Sequence, residues 1–554
     1  MPASVSCFSR TSRMTGLGDW RDSSRGWTSG TRVFMGDILA HCAARQAGLV
    51  RYRTTAHRVP HGGGMHDRPH GSILRRAGPL MLARLGVAAL TFAIPLVLAR
   101  VLLPESYGTF KQAWLLSNTL FLVLPLGLNQ SLVYFVPREP GKKRLWQSHA
   151  LILTTVLGAV AAALLLGFGP LVASAFHNPE LAAVMPYVAA FTAFKLAASC
   201  FDLAWMAEGR IKASAIVRVA SEGFYTACML AGAVWTRSVE GAFAGVVIAT
   251  FAKAAACWMA LSAGGLRISP RELRRQLAYA LPFGAAFALI IPQQQFHSYL
   301  VSASVTAAAF AVYAVGCFQL PVVDMLYTPV SEILQLGIAE HEAKGDNEGA
   351  LRLFREAVAR LSFVFVPTMV LLAISAPTLI SFLFTDRYLA AVPVFRLSII
   401  SIPMAALPLD GVMRACAQNK FMFRISVLKL GLTVPLAWLG FHALGPIGAL
   451  GGWICAEETC RFLLLRRAAH LFGTTILGAL PRELWCQTAA AVLAAVPGAV
   501  ALHLAGGPLL VQLSTGGIVF AVAYLAILRA LGVLPPVRAW IPQKAPLVLI
   551  REAA

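Results

Sequence analysis

Long apolar blocks, separated by short polar connections, repeat along the chain from about residue 79 to residue 530. Each block is long enough to cross about 30 Å of hydrocarbon as a helix. Because lipid offers no hydrogen-bond partners, a spanning segment must satisfy its backbone internally, which favours helices. The pattern predicts an all-α polytopic membrane protein of about fourteen transmembrane helices, at 79–100, 112–134, 149–170, 182–206, 213–235, 241–263, 277–297, 304–326, 361–383, 392–413, 421–442, 446–465, 485–505 and 509–530.

The charges in the connections alternate in a way that supports this number. The odd-to-even connections contain only Arg100, Lys111, Arg237 and Arg387. Basic residues cluster instead in the even-to-odd connections, with four of them at 138–144 and four more at 267–275. Because cytoplasmic loops carry an excess of Lys and Arg, both termini are expected in the cytoplasm and the protein in the inner membrane. One missed or invented helix would scramble the alternation.

Composition agrees with a membrane protein. Only 13% of the 554 residues are charged and 58% are hydrophobic, with a mean hydropathy of +0.69; soluble domains are about 25% charged. A net charge of +22 would suggest nucleic-acid binding in a soluble chain, but the basic loops account for it, so no nucleic-acid partner is expected. No disulfide framework, metal, cofactor or catalytic group is predicted.

The chain divides into four predicted regions. Residues 1–70 lack a long apolar run and are rich in Ser, Thr, Gly and Arg, which is typical of a disordered basic extension. Met65 follows three glycines, whose codons can form a purine-rich ribosome-binding stretch in the messenger RNA. We therefore also expect that the natural start is Met65, which N-terminal sequencing of the native protein would test. The remaining regions are a first six-helix lobe at 71–263, a second six-helix lobe at 264–465 with an amphipathic cytoplasmic helix at 331–360, and helices thirteen and fourteen with a cytoplasmic tail at 466–554.

Several segments resemble one known family. They are residues 98–110 (LARVLLPESYGTF), 126–132 (LGLNQSL), 134–138 (YFVPR) and 383–388 (LFTDRY). In this order, and with about fourteen helices, they are similar to the polysaccharide-biosynthesis flippases of the multidrug/oligosaccharidyl-lipid/polysaccharide exporter superfamily. The resemblance spans roughly residues 75–530.

The resemblance implies a flippase that moves an undecaprenyl-pyrophosphate-linked oligosaccharide across the inner membrane by alternating access between the two lobes. It also implies the lipid-linked substrate and the bilayer as partners, with a polysaccharide polymerase and other export machinery as further candidates. A lipid II flippase or a cation-coupled drug or metabolite exporter of the same superfamily is the alternative. A membrane polymerase or glycosyltransferase is disfavoured, because the outer loops are short and no nucleotide-binding Gly-rich loop occurs.

Ionisable residues at membrane depth are the candidate substrate site, since each costs about 2.5–3.5 kcal/mol at a helix centre. Arg84, Lys195 and Lys253 place positive charge in the first lobe, which suits a pyrophosphate or acidic sugars. Lys195 shares a helical face with Asp202, seven residues on, whereas Arg84 and Lys253 lack a carboxylate in their own segments. The candidate substrate-binding residues are Arg84, Lys195, Lys253, Arg218, Gln293 and Gln294.

Other intramembrane polar residues have competing interpretations. Arg218 and Glu222 are four apart and are expected to neutralise each other. Gln293 and Gln294 cannot share one face, because successive helical residues turn by about 100°. The carboxylates that could carry a coupling proton are Asp202, Asp324, Asp410 and Glu457. The GxxxG spacings at 241–245 and 448–452 favour close helix packing.

Overall fold

The computed structural model describes residues 72–318 and 321–534, and side chains within 86–318 and 323–534. These residues contain helices and turns but no strand. In chain order the helices are α1 (Ser72–Val101), α2 (Pro104–Val123), α3 (Leu128–Arg138), α4 (Lys143–Ala175), α5 (Pro179–Ala197), α6 (Phe201–Ala207), α7 (Ile211–Thr236), α8 (Val239–Ser262), α9 (Pro270–Ser304), α10 (Ala307–Gly316), α11 (Pro321–Ala343), α12 (Asn347–Phe384), α13 (Val392–Ser398), α14 (Leu409–Ala415), α15 (Asn419–Leu471), α16 (Ile476–Ala479), α17 (Arg482–Leu504) and α18 (Leu509–Ala530).

The all-α membrane fold predicted from the sequence is confirmed. Ten helical stretches of the described residues are long and apolar enough to cross a membrane, and two shorter apolar helices accompany them at Gly86–Val101 and Ala307–Gly316. The number fourteen stays a prediction. One of the ten, α15, contains a break at Gly445, whose φ of 63° and ψ of −145° are non-helical. The break falls between two of the predicted spans, 421–442 and 446–465.

The helix starts follow from local sequence. Pro104, Pro179 and Pro270 begin α2, α5 and α9 at positions where a helix lacks an acceptor for the backbone N–H in any case. The Ser238 side chain caps α8 by accepting a hydrogen bond from the Gly241 amide at 3.1 Å. Between α2 and α3 the chain turns at Gly127, whose φ of 75° favours glycine.

Several stretches differ from the expected helices. The predicted spans 112–134 and 392–413 are each divided, the first between α2 and α3 and the second between α13 and α14. The predicted span 182–206 is broken by a turn at residues 198–200, which separates α5 from α6. Residues 331–360 do not form one amphipathic helix; they are the end of α11, a turn at residues 344–346, and the start of α12. Asp346 caps the start of α12, where one of its carboxylate oxygens accepts a 2.8 Å hydrogen bond from the Gly349 amide. The other carboxylate oxygen lies 2.9 Å from Nδ1 of His341. This amide bond and the imidazole hold the pKa of Asp346 below its ordinary value.

The largest buried cluster joins helices from both predicted lobes. The Tyr107 ring of α2 meets Tyr388 edge-on at 5.8 Å, beyond the end of α12. The Phe110 ring lies 5.4 Å from that of Phe243 on α8, which in turn lies 6.1 Å from Phe191 on α5. Aromatic pairs at these distances add to the area they bury. The core therefore lies where α2, α5, α8 and the end of α12 converge.

Glycines allow two helix pairs to approach closely, as the GxxxG spacings predict. A Cβ atom at Gly245 would lie 2.6 Å from the carbonyl carbon of Cys228 on α7, and closer still to its oxygen. Gly452 faces the Leu436 backbone of the other half of α15 in the same way, with Ala437 N at 2.7 Å. In both cases the neighbour is backbone, so a larger side chain would separate the helices.

Candidate functional site

The Lys195 ammonium lies in a box of aromatic rings in the first lobe. Its Nζ atom is 4.4 Å from the ring centroid of Phe121, 5.1 Å from that of Phe191 and 5.2 Å from that of Trp114. Each distance is within the range of a cation–π interaction. No carboxylate forms an ion pair with Lys195 in the described part of the chain. Ring faces therefore stabilise this cation without neutralising its charge.

Asp202, near the start of α6, lies between two cations from other helices. Lys253 on α8 and Arg218 on α7 each place a nitrogen 3.9 Å from its carboxylate. One expectation is corrected, because Arg218 pairs with Asp202 rather than with Glu222. Lys253 lacks a carboxylate in its own segment, as the sequence indicates, and finds its partner on another helix. The turn at residues 198–200 also means that Lys195 and Asp202 lie on different helices, so they do not share one helical face.

The glutamine pair of α9 divides as the helical rotation requires. Gln293 is buried, and its Nε2 donates to the Leu289 carbonyl at 3.1 Å. Its own backbone carbonyl accepts a 2.8 Å bond from the Trp453 indole, whereas the Gln294 side chain is exposed. The Arg84 backbone belongs to α1, and its side chain lies outside the described ones. Gln293 thus contributes to packing, and Gln294 remains accessible.

Three coupling candidates of the second lobe have different surroundings. Asp410 on α14 accepts from the Tyr327 hydroxyl and from Ser331 Oγ, at 3.2 Å for the latter, and pairs with Arg414 at 2.6 Å. Glu457 on α15 lies between Lys429 and Arg461. Asp324 on α11 is exposed and has no ion-pair partner among the described residues.

Glu457 and Glu458 are neighbours in sequence but not in surroundings. Glu457 pairs with Arg461 at 2.9 Å and with Lys429 from the other half of α15. Both carboxylate oxygens of Glu458 are buried and have no hydrogen-bond partner in the described structure. A buried ionised carboxylate without a donor is strongly disfavoured. The coupling candidates chosen from sequence did not include Glu458, because spacing alone does not separate two adjacent acids.

One of the resembling segments, YGTF at residues 107–110, has a structural role. Tyr107 and Phe110 are in the core, and a Cβ at Gly108 would overlap the Ala307 backbone of α10. Thr109 Oγ1 donates to Glu180 at 2.8 Å and accepts from Asn178 Nδ2 at 2.8 Å. The segment therefore fixes α2 against α5 and α10 and does not supply a substrate site.

The fold defines a multi-pass α-helical membrane protein, with several ionisable side chains within its apolar helices. The chain belongs to the polysaccharide biosynthesis protein family, whose family model matches residues 97–393. This result confirms the family resemblance that the sequence segments indicate.

Solved structures share the fold at low identity. A lipid II flippase MurJ in an inward closed conformation superposes with a TM-score of 0.62 and 13% identity, covering 83% of this chain and 99% of that one. An inward-facing multidrug resistance MATE family transporter of the MOP superfamily gives a TM-score of 0.55 and 13% identity, covering 70% of this chain and 96% of that one. No curated protein matches the sequence.

Proposed function

We propose that this protein is a flippase that moves a pyrophosphate-linked oligosaccharide on a polyprenyl carrier across the inner membrane, with both termini in the cytoplasm. The observation that carries the proposal is the charge inside the first lobe. Among the intramembrane candidates of this lobe whose side chains are described, there are three cations, Lys195, Arg218 and Lys253, and two carboxylates, Asp202 and Glu222, a sum of +1. Membership of the polysaccharide biosynthesis family supports the sugar part of the substrate.

The aromatic box makes Lys195 the leading anion-binding residue. A charge that is held by ring faces can still attract a phosphate, whereas a charge in a tight salt bridge is already compensated. Lys also acts as a point charge and does not demand the planar geometry that Arg does. Lys195 would thus bind the pyrophosphate without fixing the orientation of the attached sugar.

Asp202 would act as the internal competitor of the substrate. Its two ion pairs are long, at 3.9 Å, and the Arg218 side chain is half exposed. Exposed or loosely formed pairs contribute little, about 0–1 kcal/mol. An arriving pyrophosphate would therefore displace the Asp202 carboxylate from Lys253 and Arg218 at small cost, and Asp202 would close the cluster again after release.

Substrate movement would be coupled to a proton at Glu458. Glu457 already has two cationic partners, so its ionised form is compensated, whereas Glu458 has no donor. The charged groups nearest in sequence and space are Glu457, Arg461 and Lys429. The α9 helix that packs against α15 carries no charged residue beyond Arg275. The proposed proton carrier is therefore the acid whose carboxylate has no compensating donor among the described residues.

The identity of the substrate can be tested by measuring the lipid-linked sugar pool in a strain that lacks the protein. We expect undecaprenyl-linked oligosaccharide to accumulate on the cytoplasmic face and surface polysaccharide to disappear. Expression of wild type should restore both, K195R should restore them in part, and K195M should not. Lys212 on α7 is exposed, so K212M is the matched control with the same charge loss. Rescue by K195M at wild-type level would show that Lys195 is not needed to bind the substrate.

Two alternative functions predict different results in the same deletion strain. The shared fold with a MurJ protein favours lipid II as a second substrate, and lipid II accumulation with an unchanged oligosaccharide pool would establish it. A drug exporter is less favoured, because the MATE transporter covers less of this chain than MurJ does. Altered drug sensitivity with both lipid pools unchanged would reverse that preference.

Proton coupling is tested separately by a pair of neighbouring variants. E458Q mimics a permanently protonated acid and should retain folding while abolishing the pH dependence of transport into vesicles. E457Q leaves Lys429 and Arg461 without a carboxylate and should lower stability instead. Unchanged pH dependence in E458Q would refute the role of Glu458 and leave the flippase proposal intact.

A further inference from the structure

An arginine-lined cavity lies where α12, α16 and α17 meet. Its volume is about 610 Å³, and Arg352, Arg355 and Arg482 are among the residues that line it. The basic-loop pattern predicts this end of the helices to face the cytoplasm. The cavity is distant in sequence from the first-lobe charges, and the proposed transport mechanism does not use it.

The charge of the cavity is positive. Glu356 and Glu483 also line it, but Glu356 pairs with Arg360, which is one turn further along α12. Because Arg360 compensates Glu356, the three arginines that line the cavity are opposed only by Glu483, which leaves a sum of +2. Arg355 is held in place because its guanidinium donates to the Gly478 carbonyl, at 3.0 Å from Nε. Arg352 and Arg482 are exposed and free to approach a ligand.

Apolar side chains border the arginines at the same level. Leu477 of α16, which lines the cavity, is 71% exposed, and Trp485 in the first turn of α17 is 54% exposed. Trp beside basic residues is typical of the boundary between headgroups and hydrocarbon. From Trp485 an exposed apolar stripe continues along α17 through Val492, Val496 and Leu504. A headgroup site and a surface for acyl chains are therefore continuous.

We propose that this cavity binds the phosphate headgroup of an anionic membrane phospholipid, whose acyl chains lie along α17. Arginine matches the geometry of a phosphate by paired N–H donation. A free phosphate would satisfy the arginines but not the exposed apolar stripe. The bound lipid would join α12 to α17 and hold the last two helices against the second lobe.

The test is lipid binding to the purified full-length protein in detergent, measured by native mass spectrometry. The probes are phosphatidylglycerol, phosphatidylcholine and inorganic phosphate. An Arg near anionic lipid is worth about 1 kcal/mol, a factor of about five. The R352Q/R482Q variant should therefore bind phosphatidylglycerol roughly 30-fold more weakly than wild type, while phosphatidylcholine binding changes little. Neither substitution removes a contact that the structure shows, so folding should be retained.

The matched control is R271Q/R274Q, which removes two exposed arginines from the first turn of α9. Phosphatidylglycerol binding to this variant should equal that of wild type. Equal loss in both double variants would mean that the effect is general charge attraction, and the site would be rejected. Equal binding of the two phospholipids to wild type would also reject it. Competition by millimolar inorganic phosphate would assign the cavity to a free anion instead of a lipid.

Discussion

Replacing Gly245 with alanine should separate α7 from α8 and so disturb the first-lobe charges. The added Cβ would lie 2.6 Å from the Cys228 carbonyl carbon and 3.2 Å from the Met229 nitrogen, whereas ordinary van der Waals contact begins at 3.4 Å. Both neighbours are backbone atoms, so no side-chain rotation can relieve the overlap. The helices must move apart by more than 0.8 Å, which is 3.4 minus 2.6, because the carbonyl oxygen of Cys228 lies closer to the added Cβ than its carbon does.

The expected loss of stability follows from this overlap. Insertion of one methyl group into a closely packed interface costs about 1–3 kcal/mol. Helix propensity acts in the opposite direction, because alanine is better than glycine in a helix interior by about 0.5–1 kcal/mol. The overlap is the larger effect, so G245A should be less stable than wild type, by up to about 2.5 kcal/mol from the difference of these two ranges.

Thermal unfolding of the purified protein in detergent measures this loss. The matched control is G167A on α4, where a Cβ would meet nothing within 4 Å, so it should be neutral or slightly stabilising. Since α7 carries Arg218 and α8 carries Lys253, G245A should also reduce transport more than G167A does. An apparent Tm of G245A equal to that of G167A would refute the close approach of the two helices.

Three further predictions concern other contacts. D202N should lower stability, and K253M should recover part of the loss, with a coupling of about 0.5–1 kcal/mol in a thermal-unfolding double-mutant cycle; simple additivity would contradict the ion pair. Because the pKa of Asp346 is lowered, its contribution to stability is complete above the ordinary value of 3.8 and disappears as pH falls through the lowered value. Wild type should thus lose Tm relative to D346N in that acid range, and parallel Tm curves would contradict it. The buried sulfur atoms of Cys200 and Cys257 lie 4.0 Å apart, so diamide should link them, as peptide mass spectrometry would show; a C257S variant must lack the product.

The helices were predictable because lipid imposes its requirement on local composition. Even the break at Gly445 lies between two predicted spans. The pairings between helices were not predictable in the same way. Asp202 meets Lys253 across 51 positions of sequence, and no local pattern indicates which helices are neighbours. The aromatic box around Lys195 is formed mainly by α2, so a spacing rule applied to α5 alone cannot reveal it.

Packing also decides between residues that look identical in sequence. Glu457 and Glu458 are the same side chain at the same depth, but a rotation of about 100° turns one toward two cations and the other away from every donor. The two lobes consequently handle charge in different ways. In the first lobe the cations exceed the carboxylates among the described intramembrane groups, which suits an anionic substrate. In the second lobe the buried carboxylate of Glu458 has no hydrogen-bond partner among the described residues, which suits a proton.

This separation has a consequence for the proposed mechanism. If the pyrophosphate is bound only by first-lobe cations and the proton only by Glu458, no side chain has to serve both ligands. The contacts that they use share no residue, so the sites can be coupled only through movement of the lobes. K195M should then weaken substrate binding without altering the pH dependence of residual transport, and E458Q should do the reverse. A single variant that abolished both would show that one cluster serves both ligands.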